Sequence, residues 1–158
     1  MIIERQSIRG LVLTPDREVL LLAVRPPNRL PFWITPGGGL EPGETHEQGL
    51  RRELEEELGL RDFSLGPLIA RRQHAFDWGA KRIHQREEIY LVEHPRFEPH
   101  MSDPVEAETV TGFRWWPHAE LEHTEERITP AALWQILRRY FERGPLAFGE
   151  LVVEVQVD

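Results

Sequence analysis

A chain of 158 residues with 40% apolar and 29% charged side chains is long enough to bury a continuous core and has the make-up of neither a disordered nor a fibrous protein. Its formal net charge of −8 argues against a nonspecific grip on duplex nucleic acid, which needs Lys and Arg to displace counterions. Without cysteine it has no disulfides and no thiolate chemistry, and no apolar run approaches the roughly 18 residues that a membrane span needs.

The N-terminal MIIERQSIRG is charged within four residues and has no apolar stretch of the signal-peptide kind. The expectation is a cytoplasmic protein of one domain, residues 1–158, either monomer or homodimer, with no membrane partner. Residues 2–13 and 18–25 are two apolar, strand-like runs, and Thr14, Pro15, Asp16 and Arg17 between them predict a hairpin. The Pro- and Gly-rich stretch RPPNRLPFWITPGGGLEPG follows, a loop around the short apolar run Phe32–Thr35. A helix is expected to start near Thr45, with Thr45 as N-cap and Gln48 at the capping-box position, and to stop at Gly59.

Residues 63–76 and 82–93 read as two further strands around an Asp77-Trp78-Gly79 turn, and 109–116 as another, ended by Pro117. One ring of the Trp115-Trp116 pair is expected inside and the other only partly covered, while Trp33 is assigned to the core. The last helix is placed at 130–143, with Thr129 as N-cap, Pro130 at the first helical position and Gly144 beyond the end. ELVVEVQV alternates as a strand does, or forms an ordered tail. This order predicts a mixed α/β domain whose sheet is covered by helices on both faces.

The informative stretch is GGLEPGETHEQGLRRELEEELGL, residues 38–60. On a helix of roughly 100° per residue, Leu50, Leu54 and Leu58 share the core stripe. Glu53, Glu56 and Glu57 fall on an adjoining arc of about 100°, whereas Glu55 points away. Like charges three and four apart repel by a few tenths of a kcal/mol per pair, so something has to offset the crowding. Three carboxylates on one strip suit Mg²⁺ or Mn²⁺, and the repulsion would hold the metal-free site open. Mg²⁺ shares its shell with phosphate oxygens, which points to a phosphate-bearing ligand. The bland alternative is a solvated acidic face. The preceding GGGLEPGE weighs against it, because consecutive glycines let backbone approach a ligand closely.

Gly38, Glu44, Arg52, Glu53, Leu54, Glu56, Glu57, Gly59 and Leu60 fill every fixed position of G-x5-E-x7-R-E-U-x-E-E-x-G-U, where U is aliphatic. The stretch therefore resembles a Nudix box. The resemblance implies the Nudix fold, an α/β/α sandwich with a mixed β-sheet, and hydrolysis of a nucleoside diphosphate linked to a moiety X with a divalent metal. It implies that Glu53, Glu56 and Glu57 hold the metal and that Glu53 or Glu57 also assists the attacking water. By the same resemblance Arg52 orients a box glutamate, Glu44 braces the loop–helix junction, and the carbonyl of Gly38 or a neighbouring glycine is a further ligand.

Outside the box, one of Glu87, Glu88, Glu106 and Glu108 is expected to contribute an acid. Strand alternation lets at most one of Glu87 and Glu88 face the site. Among Arg25, Arg29, Arg71, Arg72, Lys81, Arg82 and Arg86, Arg25 and Arg71 are the first candidates for phosphate contacts. Trp78 is a candidate for stacking on a base. The seven histidines have no zinc spacing, and structural or exposed roles are expected for all of them.

The substrate expected first is a (deoxy)nucleoside triphosphate, as in MutT-like members. A dinucleotide or nucleotide-sugar pyrophosphatase is the alternative, although the ADP-ribose-type proline about 15 residues after the box and the SQPWPFPxS segment are absent. A non-catalytic nucleotide-sensing module is the reading from another class, and the complete set of box glutamates argues against it.

Overall fold

The computed structural model describes residues 1–26, 30–102 and 109–145 and the backbone of 152–157; the side chains of Trp78 and of 152–157 lie outside that description. Among the described residues the chain runs β1 (Ile2–Leu13), β2 (Glu18–Val24), β3 (Phe32–Ile34), β4 (Gly37–Gly39), α1 (His46–Leu58), β5 (Leu68–Trp78) and β6 (Lys81–Glu93). Then come β7 (Val110–Pro117), α2 (His118–Leu121), β8 (Ile128–Thr129), α3 (Leu133–Arg143) and β9 (Val152–Val157).

The strands make one mixed sheet in the order β8-β3-β2-β1-β6-β5-β9, with β4 added to β1 and β7 to β2. Its spine is the parallel pairing of β1 with β6, which runs from Ile2↔Arg82 to Leu13↔Glu93. The other edge of β1 is divided: Leu13 meets Val19 of β2, while Ser7, Ile8 and Arg9 pair with Gly39, Gly38 and Gly37 of β4. That division brings the glycine strand beside the middle of β1.

Alternation sorts the core into two layers. Ile8 and Val12 of β1, Leu20 and Leu22 of β2, and Trp115 pack with Leu50, Leu54 and Leu58 of α1. Leu11, Leu13, Val19, Leu21, Ile89, Leu91 and Trp116 pack with Leu133, Ile136 and Leu137 of α3 on the opposite face. The three leucines of α1 are at most 1% exposed, and burying each contributes about 1.5–3 kcal/mol. Helices thus cover both faces of an α/β sheet.

Three boundaries differ from the sequence expectation. The β5–β6 turn lies two residues later, at Gly79-Ala80, since Trp78 already pairs with Lys81; residues 63–67 precede β5 rather than belong to it. The last helix starts at Leu133 and not at Pro130, because Ile128 and Thr129 pair in parallel with Trp33 and Ile34 of β3. Thr129 is therefore a strand residue, and the helix begins after Ala132 without a side-chain cap. Both rings of Trp115-Trp116 are buried, at 9% and 1% exposure, since each meets a helix-covered face. The partly buried Trp33 packs edge-on to Trp116, with ring centroids 5.4 Å apart.

Candidate active site

Helix α1 is fixed at both ends by local chemistry. Thr45 Oγ1 accepts from the Gln48 N–H at 3.1 Å and the Gln48 side chain accepts from the Thr45 N–H at 3.0 Å, a complete capping box. Gly59 closes the helix in the left-handed region, at φ 70°. These caps and the leucine stripe set the rotation of the helix about its axis. Glu53 and Glu57 are then 5% and 3% exposed beside the core, Glu56 is half-buried, and Glu55 reaches solvent and pairs with Arg61 at 3.0 Å.

Arg52 is the hub of this strip. Its guanidinium takes Glu44 in a forked pair at 2.8 and 2.9 Å, Glu53 at 3.0 Å, Glu56 at 3.5 Å and the Gly39 carbonyl at 3.0 Å. Glu44 also accepts from the Glu41 N–H at 2.7 Å, so it ties the loop to the helix. The Arg52 hydrogen bonds, then the Glu41 N–H, pull the Glu44 carboxyl down from 4.5 to about 2. The same pairing with Glu44 raises the Arg52 guanidinium above its ordinary value.

The glycine strand meets the helix at contact distance. Gly37 has φ 141°, and a Cβ there would lie 2.1 Å from the Ile8 carbonyl oxygen, so only glycine fits. Its N–H donates to Glu57 Oε1 at 2.7 Å. A Cβ on Gly38 would stand 2.6 Å from Glu53 Oε1, so any side chain there would displace the carboxylate. Glu53 Oε2 is buried and has no hydrogen-bond partner.

The structure places Glu53, Glu56 and Glu57 on one strip of α1, with Glu55 off it. Among the described residues no three acidic or histidine side chains are gathered into a ready-made cation cage. Glu53 accepts from Arg52 and Glu57 from the Gly37 N–H, so donors of the chain itself offset part of the crowding on the strip. A divalent ion still fits the residues present. Mg²⁺ does not need an all-protein cage, since it keeps waters and shares its shell with phosphate oxygens, and the orphaned Glu53 Oε2 is an unused hard-oxygen donor.

The candidates outside the box are dispersed. Glu87 and Glu88 do point to opposite faces. Glu87 is 2% exposed on the α3 side, between Arg72 at 3.4 Å and Arg9 at 3.5 Å, and also accepts from Gln85. Burial pushes its carboxyl up, but the charges of Arg9 and Arg72 and the Gln85 and Arg72 hydrogen bonds outweigh that and leave it below its ordinary value. Glu88 lies on the α1 side with Tyr90 and His46, whose Nδ1 is 3.2 Å from Glu88 and 2.7 Å from the Tyr90 hydroxyl. Arg71 pairs across strands with Glu88 on that same side. Arg25 is exposed at the end of β2, in a cavity of about 490 Å³ lined by Phe32, Trp33 and Arg127, with no box residue in its lining. The Trp78 side chain, Arg29, Glu106 and Glu108 lie outside the described residues.

Arg9 is the residue the sequence reading missed. Its guanidinium donates to the carbonyls of Thr35 at 3.2 Å and Gly37 at 3.0 Å while facing Glu87. The available signal was a lone charge inside the apolar run IRGLVL, a strand now seen to be covered on both faces.

With the fold and this geometry in view, comparison with known proteins assigns the class: the NUDIX domain family matches residues 4–140, and the chain belongs to that family. It is a hydrolase acting on phosphoric anhydride bonds. Among curated relatives, the nucleoside triphosphatase NudI of Enterobacter sp. (strain 638) is 66% identical over 29 residues, 18% of this chain and 21% of that protein. The RNA pyrophosphohydrolase of Erythrobacter litoralis (strain HTCC2594) is 29% identical over 133 residues, 75% of this chain and 79% of the relative. The MutT protein of Methanosarcina mazei Go1 shares the fold, with a TM-score of 0.65 at 20% identity, covering 88% of this chain and 94% of that one.

Proposed function

We infer that the protein is a divalent-metal-dependent pyrophosphohydrolase whose substrate is a nucleoside triphosphate, released as nucleoside monophosphate and pyrophosphate. The observation that carries this is the buried Glu53 carboxylate, which leaves Oε2 unpartnered beside Glu57 and against the Cβ-free surface of Gly38. A buried anionic oxygen without a donor is costly, and a cation shared with phosphate removes that cost.

Glu53, Glu56 and Glu57 are the residues to hold the ion, with the Gly38 carbonyl as a further donor. When bound, a divalent ion supplies charge neutralisation at phosphate oxygens and lowers the pKa of water. Arg52 offsets the repulsion between Glu53 and Glu56 and is itself oriented through its fork to Glu44. Glu53 or Glu57, once freed from its present donor, is placed to accept a proton from the attacking water. Glu44 stays ionised throughout, as its lowered pKa requires, and serves as the anchor of Arg52.

The triphosphate reading is supported by the name of the NudI relative, and hydrolysis of a triphosphate at the end of an RNA chain is the second reading, favoured by the longer match to an RNA pyrophosphohydrolase. The charge of −8 weighs against extended contact with RNA. The test is to incubate purified protein with Mg²⁺ and, separately, nucleoside triphosphates, diphosphate sugars, dinucleotides and 5′-triphosphorylated RNA, with EDTA controls. Monophosphate and pyrophosphate from free nucleotides, abolished by chelator, are expected. Turnover of diphosphate sugars or dinucleotides alone overturns the substrate assignment, and full turnover in EDTA overturns the metal.

A further inference from the structure

The buried cluster of Arg9, Arg72, Gln85 and Glu87 lies on the α3 side of the sheet, away from the carboxylate strip on α1. In it both Arg9 and Arg72 face the Glu87 carboxylate, with side-chain exposures of 12% for Arg9, 1% for Arg72 and 2% for Glu87. One arginine would suffice to neutralise Glu87. The second is explained by where its remaining N–H groups go: Arg9 donates through the sheet to the carbonyls of Thr35 and Gly37, on either side of Pro36.

Those carbonyls lie at the start of β4 and just before it, where the chain enters the glycine strand. The three glycines of β4 have no side chains to pack, and glycine loses more backbone freedom on ordering than any other residue. Gly37 is held from both faces. Its carbonyl accepts from Arg9 on the α3 side, and its N–H donates to Glu57 on the α1 side. A continuous path of contacts thus runs Arg72–Glu87–Arg9–Gly37–Glu57.

We propose that Arg9, seated by Glu87 and Arg72, is a positioning residue for the reaction: it fixes the Gly37 peptide from behind the sheet and so sets where the Glu57 carboxylate lies. Arg9 acts on the strip only through backbone. The proposal rests on the functional reading above for its consequence in catalysis but not for the path itself. Removing a group that orients a metal-binding carboxylate characteristically costs about 10–100-fold in activity or metal affinity.

The test uses Arg9→Met and Arg9→Lys, the second retaining a cation beside Glu87 in case the first fails to fold. Ile136→Val, which loosens the α3 core without touching β4, is the comparison for general destabilisation. In metal-free protein, amide exchange at Gly37 is expected to quicken about tenfold in Arg9→Met and by less in Arg9→Lys, and to follow only the global change in Ile136→Val. With Mg²⁺ and substrate, kcat is expected to fall at least about tenfold while KM stays within about twofold. Unchanged exchange at Gly37 overturns the proposal. So does a raised KM with kcat intact, which would make Arg9 a substrate contact instead. If no nucleotide is hydrolysed by the unmodified protein, the functional reading fails, while the exchange measurement still decides the path.

Discussion

Two arginine–glutamate clusters flank the glycine strand, and among the described residues they differ in make-up and burial. On the α1 side, one guanidinium, Arg52, serves Glu44, Glu53 and Glu56, with Glu57 close by on the same helix. On the α3 side, Arg9 and Arg72 both face the carboxylate of Glu87. The first cluster has surplus negative charge and is partly open, with Arg52 at 22% side-chain exposure. The second is buried, with Arg72 at 1% and Glu87 at 2% side-chain exposure. A site meant to take up a cation needs acids that can exchange partners, and part-solvated pairs exchange cheaply. A clamp meant to stay put is better buried, where breaking one contact strands a charge.

Neutralising one member on each side breaks the comparison in different observables. Glu53→Gln and Glu57→Gln keep size and helix propensity but remove a negative oxygen, and kcat at saturating Mg²⁺ is expected to fall by about 10²–10⁴. Their metal-free melting temperatures should stay close to the parent's, because a glutamine oxygen still accepts from Arg52 or from the Gly37 N–H. A loss of fold with either variant would contradict the view that these carboxylates are kept for a ligand.

Glu87→Gln should do the reverse, with stability as its main effect. Two buried guanidiniums would lose a counter-charge they share, and urea unfolding is expected to show about 3–5 kcal/mol lost. A loss below about 1 kcal/mol would mean that the cluster is solvated rather than sealed.

Acid titration sharpens the contrast further. The folded-state pKa of Glu44 is about 2 against an ordinary 4.5, so its pair with Arg52 stabilises the fold fully above about pH 4.5. That contribution is lost as pH falls from there toward 2. The stability difference between the parent and Glu44→Gln should therefore be constant at neutral pH and shrink across this window. A difference that persists unchanged down to pH 2 would show that the pairing does not depend on ionised Glu44. The smallest effect belongs to Glu55→Gln, which breaks only the exposed pair with Arg61: less than twofold in kcat and under about 1 kcal/mol in stability. If it damaged turnover as Glu57→Gln does, the rotation of α1 would be misassigned.

The sequence by itself determined α1 almost completely. Thr45, Gln48 and Gly59 cap it, Leu50, Leu54 and Leu58 bury it, and Glu55 points outward, all as the periodicity requires. Each of those features depends on residues within about a turn of helix or on one helical face. The same holds for Arg52 with Glu44, brought together by the box spacing. What only the tertiary structure decided depends on partners remote in sequence. Thr129 is a sound N-cap in isolation, but β3 draws it into a strand and moves the helix start to Leu133. Glu87 looked like a spare acid until β1 and β5 closed on either side of β6 and brought Arg9 and Arg72 to it. Caps and faces are written in local hydrogen bonds and side-chain period. The partner of a buried charge is set by strand register, which the pairings of β1 and β5 with β6 supply.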